Sequence, residues 1–426
     1  MTIGVDAARR ALLSVGAGVA LAAMPAAAGA QPAARAGADS RRMMSAASFG
    51  VVGDGVADDS KALQAALDAA FRPDGPGFLV IPPGDYRITR TLRVATGGGA
   101  RGNIIRHSGI MAHGARLKSD IGDGSNVFEF ISGSIVRFIL IEGLDILGTG
   151  REGHGIYLEC EEWGKYLYNF CLRDVVVQSC GGDGCRMIGN VFEAQVINSY
   201  FRGNKANGAT FGHGFKQGIL SSIHVFGCVF GENARQGAAM INKCYDVAFH
   251  GCYFLLNGKF GLVAENGCTL LSNCGFENNH QSAQGFDGGD AGIALQNFGT
   301  LVGCTAYSIY NQTHLVRAYV AGQFVMIGCS GSGNERAKRA GLARIGGQKR
   351  AGITVIGSTG AVDYVNGCDG IELGGAGGGA RFASDWRSPN LLQLGEHRLW
   401  IDRQGNLRLK KGAPGADDDG ITARPG

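Results

Sequence analysis

The chain has 426 residues, 45% of them apolar and 18% charged, with a formal net charge of +4. That balance supports a large core and excludes a disordered chain, and the scattered lysines and arginines form no stripe of the kind that binds nucleic acid. Glycine is the outlier, 72 residues against 9 prolines, without the every-third spacing of collagen, so many tight turns between short strands are expected.

Residues 1–30 read as an export signal. Arg9-Arg10, an Ala/Gly/Leu run and the small-residue end Ala28-Gly29-Ala30 follow the positive, apolar, small order of a secretory leader. The arginine pair resembles a twin-arginine signal. No other stretch approaches the roughly 20 apolar residues needed to span a bilayer. The expected product is periplasmic or secreted, with no membrane contact after cleavage. Residues 31–45 read as a linker.

The segment "FGVVGDGVADDSKALQAALDAA" predicts a short strand, an acidic cap at Asp58 or Asp59, and a helix with Ala62, Leu63, Ala66, Leu67 and Ala70 on one side. "GFLVIPPGDYRIT" follows as a strand with a proline turn. A helix here would cover the open strand edge at the end of a solenoid.

A repeat then takes over. "INSYFRGN", "FGCVFGEN", "HGCYFLLN", "SNCGFENN" and "IGCSGSGN" align without gaps. One slot holds Ser199, Cys228, Cys252, Cys274 and Cys329, with Val175 ahead and Cys304 between the last two. Successive spacings are 24, 29, 24, 22, 30 and 25 residues. A period of this size means a solenoid. The alternation of Ile223, Val225, Cys228 and Phe230 is that of strands. The fold expected is all-β, a parallel β-helix with one repeat per coil. In such a stack like residues lie above one another at about 4.8 Å. The cysteines then form a buried column, mostly as free thiols, and Asn204, Asn233, Asn257, Asn279 and Asn334 form a second, turn-stabilising column.

The opening segment followed by "LVIPPGDYRI" resembles the N-terminal signature of the pectate-lyase-like superfamily, which includes rhamnogalacturonase-like, polygalacturonase-like and tailspike proteins. With the asparagine column, the resemblance spans about residues 46–375. It implies a right-handed parallel β-helix that handles a polysaccharide, as lyase, hydrolase, epimerase or adhesin. Polygalacturonase-like hydrolases carry "NTD", "GHG" and "RIK" motifs. This chain has neither "NTD" nor "RIK", and its "GHG" triplets at 153–155 and 212–214 stand without aspartate partners; "GGDG" (181–184) reads as a turn.

The register supplies a site of its own. With Ala194, Val196, Ile223, Val225, Val247 and Phe249 inward, one outward column reads Asn169, Glu193, Ser222, Asp246, and the next reads Cys171, Gln195, His224, Ala248. Arg173 and His250 share a column at the following bend, beyond which Tyr200, Arg202 and Tyr253 face out. Glu193 and Asp246 fit the acid pair of an inverting glycoside hydrolase. Alternatively, His224 or Tyr200 is a base and Arg202 or Arg173 the cation of a lyase or epimerase. Arg173, His250 and Tyr253 would bind substrate. "LECEEWGKYLYN", with Glu162 and Trp163, is a competing sugar-binding wall. No cofactor is expected, calcium at the Asp287–Asp290 turn being the one candidate exception.

Residues 376–426 read as a separate tail, with alternating strands around a Gln-Gly turn that cap the last coil or serve trimerisation or attachment. The sequence thus predicts an exported polysaccharide lyase or glycoside hydrolase, monomeric or homotrimeric. The alternative is a non-catalytic glycan-binding protein of tailspike type.

Overall fold

The computed structural model describes residues 43–422, apart from short segments of which 97–103, 282–290 and 332–340 are the longest. The expected export signal and nearly all of the linker fall outside the described residues, as do the Asp287–Asp290 turn, Asn334 and the pair Glu162 and Trp163.

Helix α1 (Ser60–Phe71) forms where expected and buries Leu63, Ala66, Leu67, Ala70 and Phe71 against the end of the core. Of the two candidate capping acids, Asp58 bonds the start of the helix, whereas Asp59, at the N-cap position, makes no side-chain bond to it. The Asp58 carboxylate accepts the Ser60 N–H at 3.0 Å and the Thr89 hydroxyl at 2.7 Å, which ties the first turn of the helix to the strand Gly84–Ile88. Asp59 accepts the Val52 and Gly53 N–H groups at 2.6 and 3.0 Å and closes the glycine turn before it.

From here the chain winds as a parallel β-helix. One coil runs through Val191–Phe192, Gln195–Ile197, Tyr200–Arg202 and Ala209–Gly212. The first three strands of each coil join one continuous sheet, and the fourth joins a second sheet of eleven strands that includes Cys185–Gly189, Ala238–Ile241 and Leu262–Ala264. The expected register holds: Gln195 pairs with His224 and His224 with Ala248, while Val196, Val225 and Phe249 beside them are fully buried.

The corners between strands are turned by residues of left-handed backbone, stacked coil on coil. The first corner uses Asn169, Glu193, Ser222 and Asp246, with φ between 52° and 57°. The second uses Asp174, Asn198, Gly227, Gly251, Asn273 and Gly303. Asn, Asp and Gly tolerate this conformation best, which explains part of the glycine content. The rest includes a close-approach column. A Cβ on Gly237 would stand 2.6 Å from the Gly261 carbonyl oxygen and 2.9 Å from Asn257 Nδ2.

Both predicted columns are present. Asn204, Asn233, Asn257 and Asn279 are buried, and each of the first three donates from Nδ2 to the next Oδ1 at 2.8–3.0 Å. Asn233 and Asn257 also donate to the Phe201 and Phe230 carbonyls. Beneath them Phe201, Phe230, Phe254 and Phe276 stack at 4.7–5.4 Å. The ten cysteines whose side chains are described are free thiols. In the column, Cys228, Cys252, Cys274, Cys304 and Cys329 each donate to a carbonyl of the preceding coil at 3.4–3.5 Å. Cys252, Cys274 and Cys304 are pushed up to about 12, first by the thiol one coil before and then by burial. They remain protonated and unreactive.

Parallel pairing runs through Gly370–Leu373. The strands Ala380–Asp385, Ser388–Leu394, His397–Ile401 and Leu407–Lys411 then continue the first sheet as an antiparallel meander.

Candidate functional site

In the second sheet Cys185 and Met187 point into the core, so Arg186 between them points out. Pairing places Thr210, Ala239, Val263 and Ala294 on the same outer row. Replacing a large side chain by Thr and Ala over successive coils leaves a hollow. A cavity of about 350 Å³ lies there. Its floor is Ala206, Ala239, Ile241, Phe260, Val263 and Ala294, and its polar groups are His154, Asp183, Arg186, Arg235, Gln236 and Glu265.

The turn before this sheet builds the polar end. Asn126, His154, Asp183, Asn207 and Gln236 occupy equivalent places on successive coils. The Asn126 side chain accepts the His154 N–H at 2.8 Å, His154 Nδ1 accepts the Asp183 N–H at 2.9 Å, Asp183 Oδ1 accepts the Asn207 N–H at 3.0 Å, and Asn207 Oδ1 accepts the Gln236 N–H at 3.1 Å. Because Nδ1 is an acceptor, the neutral His154 ring carries its proton on Nε2 and offers it as a donor. Burial pushes its pKa down; Asp183 opposes this and Arg186 reinforces it. Asp183 is 2% exposed, and its second oxygen lies 3.4 Å from Arg186 Nη1 and 3.7 Å from His154 Nδ1. A carboxylate so deeply buried requires that compensation. Arg235, at the exposed rim, has no side-chain hydrogen bond or ion pair to another described residue. Glu265 is half-buried and accepts the Asn242 N–H at 3.4 Å.

The expectation that "GHG" at 153–155 lacks an aspartate partner is therefore corrected. Asp183, from the "GGDG" read as a mere turn, sits one coil on from His154. The two are 29 residues apart, which is one repeat, and that spacing was the signal that could have joined them.

The residues expected at the active site lie on the outer face of the first sheet, in the columns that the register predicts. Glu193 and Asp246 stand two coils apart in the predicted column, about 9.6 Å by strand spacing. Both occupy the left-handed corner and both are bonded within it: Asn169 Nδ2 donates to Glu193 at 2.9 Å and Ser222 Oγ to Asp246 at 3.2 Å. His224 lies in the next column, its ring parallel to those of Phe226 and His250. Arg173 and His250 share a column but are separated by Ile197 and Phe226, and Arg173 lies 3.5 Å from Glu142. Tyr200, Arg202 and Tyr253 lie past the second corner, where Arg202 pairs with Glu232 and the Tyr253 hydroxyl with Glu277. The structure brings Glu193, His224 and Asp246 together and sets Tyr200, Arg202 and Tyr253 on another strand. The hydrophobic neighbour Phe226 was missed, although the register places it in the Arg173–His250 column. Among the described residues no three metal-ligating side chains converge.

Two family models match in tandem: "Rhamnogalacturonase A/epimerase, pectate lyase-like" over residues 43–127 and "Right handed beta helix region" over 130–313. The chain thus carries a pectate-lyase-like segment followed by a right-handed β-helix region. Among curated proteins it is 31% identical over 129 residues to mannuronan C5-epimerase AlgE4 of Azotobacter vinelandii, a match covering 30% of this chain and 18% of that protein. Among solved structures it is similar to ORF18 of Geobacillus virus E2, with a TM-score of 0.60 at 16% identity over 89% of this chain and 75% of that one. The Dettilon tailspike protein matches with a TM-score of 0.50 at 11% identity over 89% and 83%. At these identities the two structures speak for the fold alone.

Proposed function

We propose that the chain is an enzyme acting on a polysaccharide that carries carboxylates, held in the cavity on the second sheet. The observation that supports this reading is the pair of guanidiniums, Arg186 and Arg235, over an apolar floor with Phe260 in it. A sugar acid presents an apolar ring face and a carboxylate, and guanidinium matches a carboxylate in shape and charge. The curated relative is named for acting on mannuronan, a polymer of that kind.

The reaction we assign is removal of the proton beside the uronate carboxylate, the step that lyases and epimerases share. Arg235 would neutralise the carboxylate as charge builds on it, while His154 Nε2–H, four coils from Glu265, would donate to an oxygen of another sugar residue along the bound chain. Glu265 is the proton acceptor in this reading, because it lines the cavity only half-buried, whereas Asp183 is 2% exposed. Hydrolysis by an acid pair is disfavoured within the cavity. Asp183 and Glu265 stand three coils apart, about 14 Å by strand spacing, beyond the roughly 6.5–9.5 Å that accommodates one activated water.

The test is incubation with mannuronan, polygalacturonate and neutral glycans. Absorbance of an unsaturated uronate marks a lyase, and inversion at C5 by NMR marks an epimerase. New reducing ends alone mark a hydrolase, and binding without product marks an adhesin. Arg235→Ala is expected to weaken polyuronate binding at least tenfold. If no polyuronate is bound or altered, the reading fails.

A further inference from the structure

A second surface is independent of the cavity. On the outer face of the first sheet, the rings of His224, Phe226 and His250 lie nearly parallel. Their centroids are 6.0 Å apart for His224 and Phe226, 4.9 Å for Phe226 and His250, and 6.2 Å for His224 and His250, with interplanar angles of 14–19°. Phe226 is 37% exposed, high for a phenylalanine on a folded surface. The rings are held in place. His224 and Phe226 share one strand, His250 is the cross-strand partner of Phe226, and His250 Nδ1 lies 2.9 Å from Ser272 Oγ.

The rings stack on one another, at 4.9 Å too close for Phe226 and His250 to lie in one plane, so they present their edges to solvent as an apolar ridge, with imidazole nitrogens beside it that can hydrogen-bond sugar hydroxyls. The border of the ridge is polar. Gln195 precedes His224 by one coil, and the corner column beside it carries Glu193, Ser222 and Asp246. These groups match hydroxyls, as donors and acceptors. Their charge also selects. Two exposed carboxylates flank the rings, and the guanidinium in Phe226's own column, Arg173, is two coils away beside Glu142. The His250 imidazole is itself held toward neutrality, by burial and then by His224. An acidic sugar would meet carboxylates here, whereas it meets guanidiniums in the cavity.

We infer that the His224–Phe226–His250 ridge is a second, non-catalytic binding site, for an uncharged glycan. It would hold the protein to a neutral polysaccharide while the cavity remains open to a different, acidic segment.

Affinity electrophoresis of the full chain tests this, in native gels containing mannan, dextran or mannuronan. Wild type is expected to be retarded in at least one neutral gel. Phe226→Ala and His224→Ala should each raise the apparent Kd there at least tenfold, with unchanged circular dichroism, while Arg235→Ala keeps the retardation. Free migration of wild type in both neutral gels overturns the inference, and so does a Phe226→Ala protein retarded like wild type. Retardation by mannuronan alone, lost in Phe226→Ala, would overturn the choice of a neutral ligand.

Discussion

At the scale of single residues, the side chains that matter most are those whose partners lie one repeat away. Asn257 accepts from the Asn233 backbone and side chain and donates to Phe230 and Asn279, all inside the core. Asn257→Ala leaves at least one amide and one carbonyl unpaired, so a loss of about 3–5 kcal/mol is expected in urea unfolding. The columns were legible in the sequence because their residues are chemically distinctive and their spacing is that of the coil. The cavity was not, because Arg186, Arg235 and Glu265 belong to no motif, and a hollow arises from what Thr210 and Ala239 lack rather than from what they contribute. His154 and Asp183 were visible but were read singly. In the opposite sense, Glu193 and Asp246 were placed in the correct column, but a register does not say that a residue turns a corner. We expect Glu193→Gln to leave turnover within about twofold of wild type; a tenfold loss would return the reaction centre to the first sheet.

At the scale of elements, helix α1 is secured by Asp58. Burial pushes its carboxyl up, but the bonds from Ser60 and Thr89 outweigh this and hold it at about 2, below its ordinary 3.8. A depressed value means that the ionised form is the one the fold favours. Its contribution is complete above about pH 4 and is lost as the pH falls toward 2. Acid titration followed by far-ultraviolet circular dichroism should show wild type losing helical signal in that window, and Asp58→Asn having lost its share already at pH 7. His154 acts with the opposite charge. Its pKa is lowered, so the bond from the Asp183 N–H is present above about pH 6.5 and is lost as the ring protonates on acidification. Nitrogen NMR at pH 7 is expected to find the Nε2–H tautomer.

At the scale of the whole molecule, the two faces of one coil are given different work by the same alternation. Inward positions make a common core from Ala46 to Ala343. Outward positions are released from packing, which lets the first sheet carry rings while the second carries a hollow. The fold was therefore open to prediction from the repeat, since every coil votes for it. The candidate site is written once, on a few coils, and no other described coil repeats it.

The glycine file beside the asparagines has a further consequence. Each Gly carbonyl sits where the preceding coil's Cβ would be, so adjoining turns of chain meet at a distance that only hydrogen leaves free. Nothing in that contact depends on how many turns there are. Excising one whole unit, residues 229–252, should give a shorter rod that still melts cooperatively, whereas Gly237→Ala, one added methyl group, should wedge neighbouring layers apart and lower Tm by more than the excision does. Length is the negotiable dimension of this molecule, and thickness per layer is not.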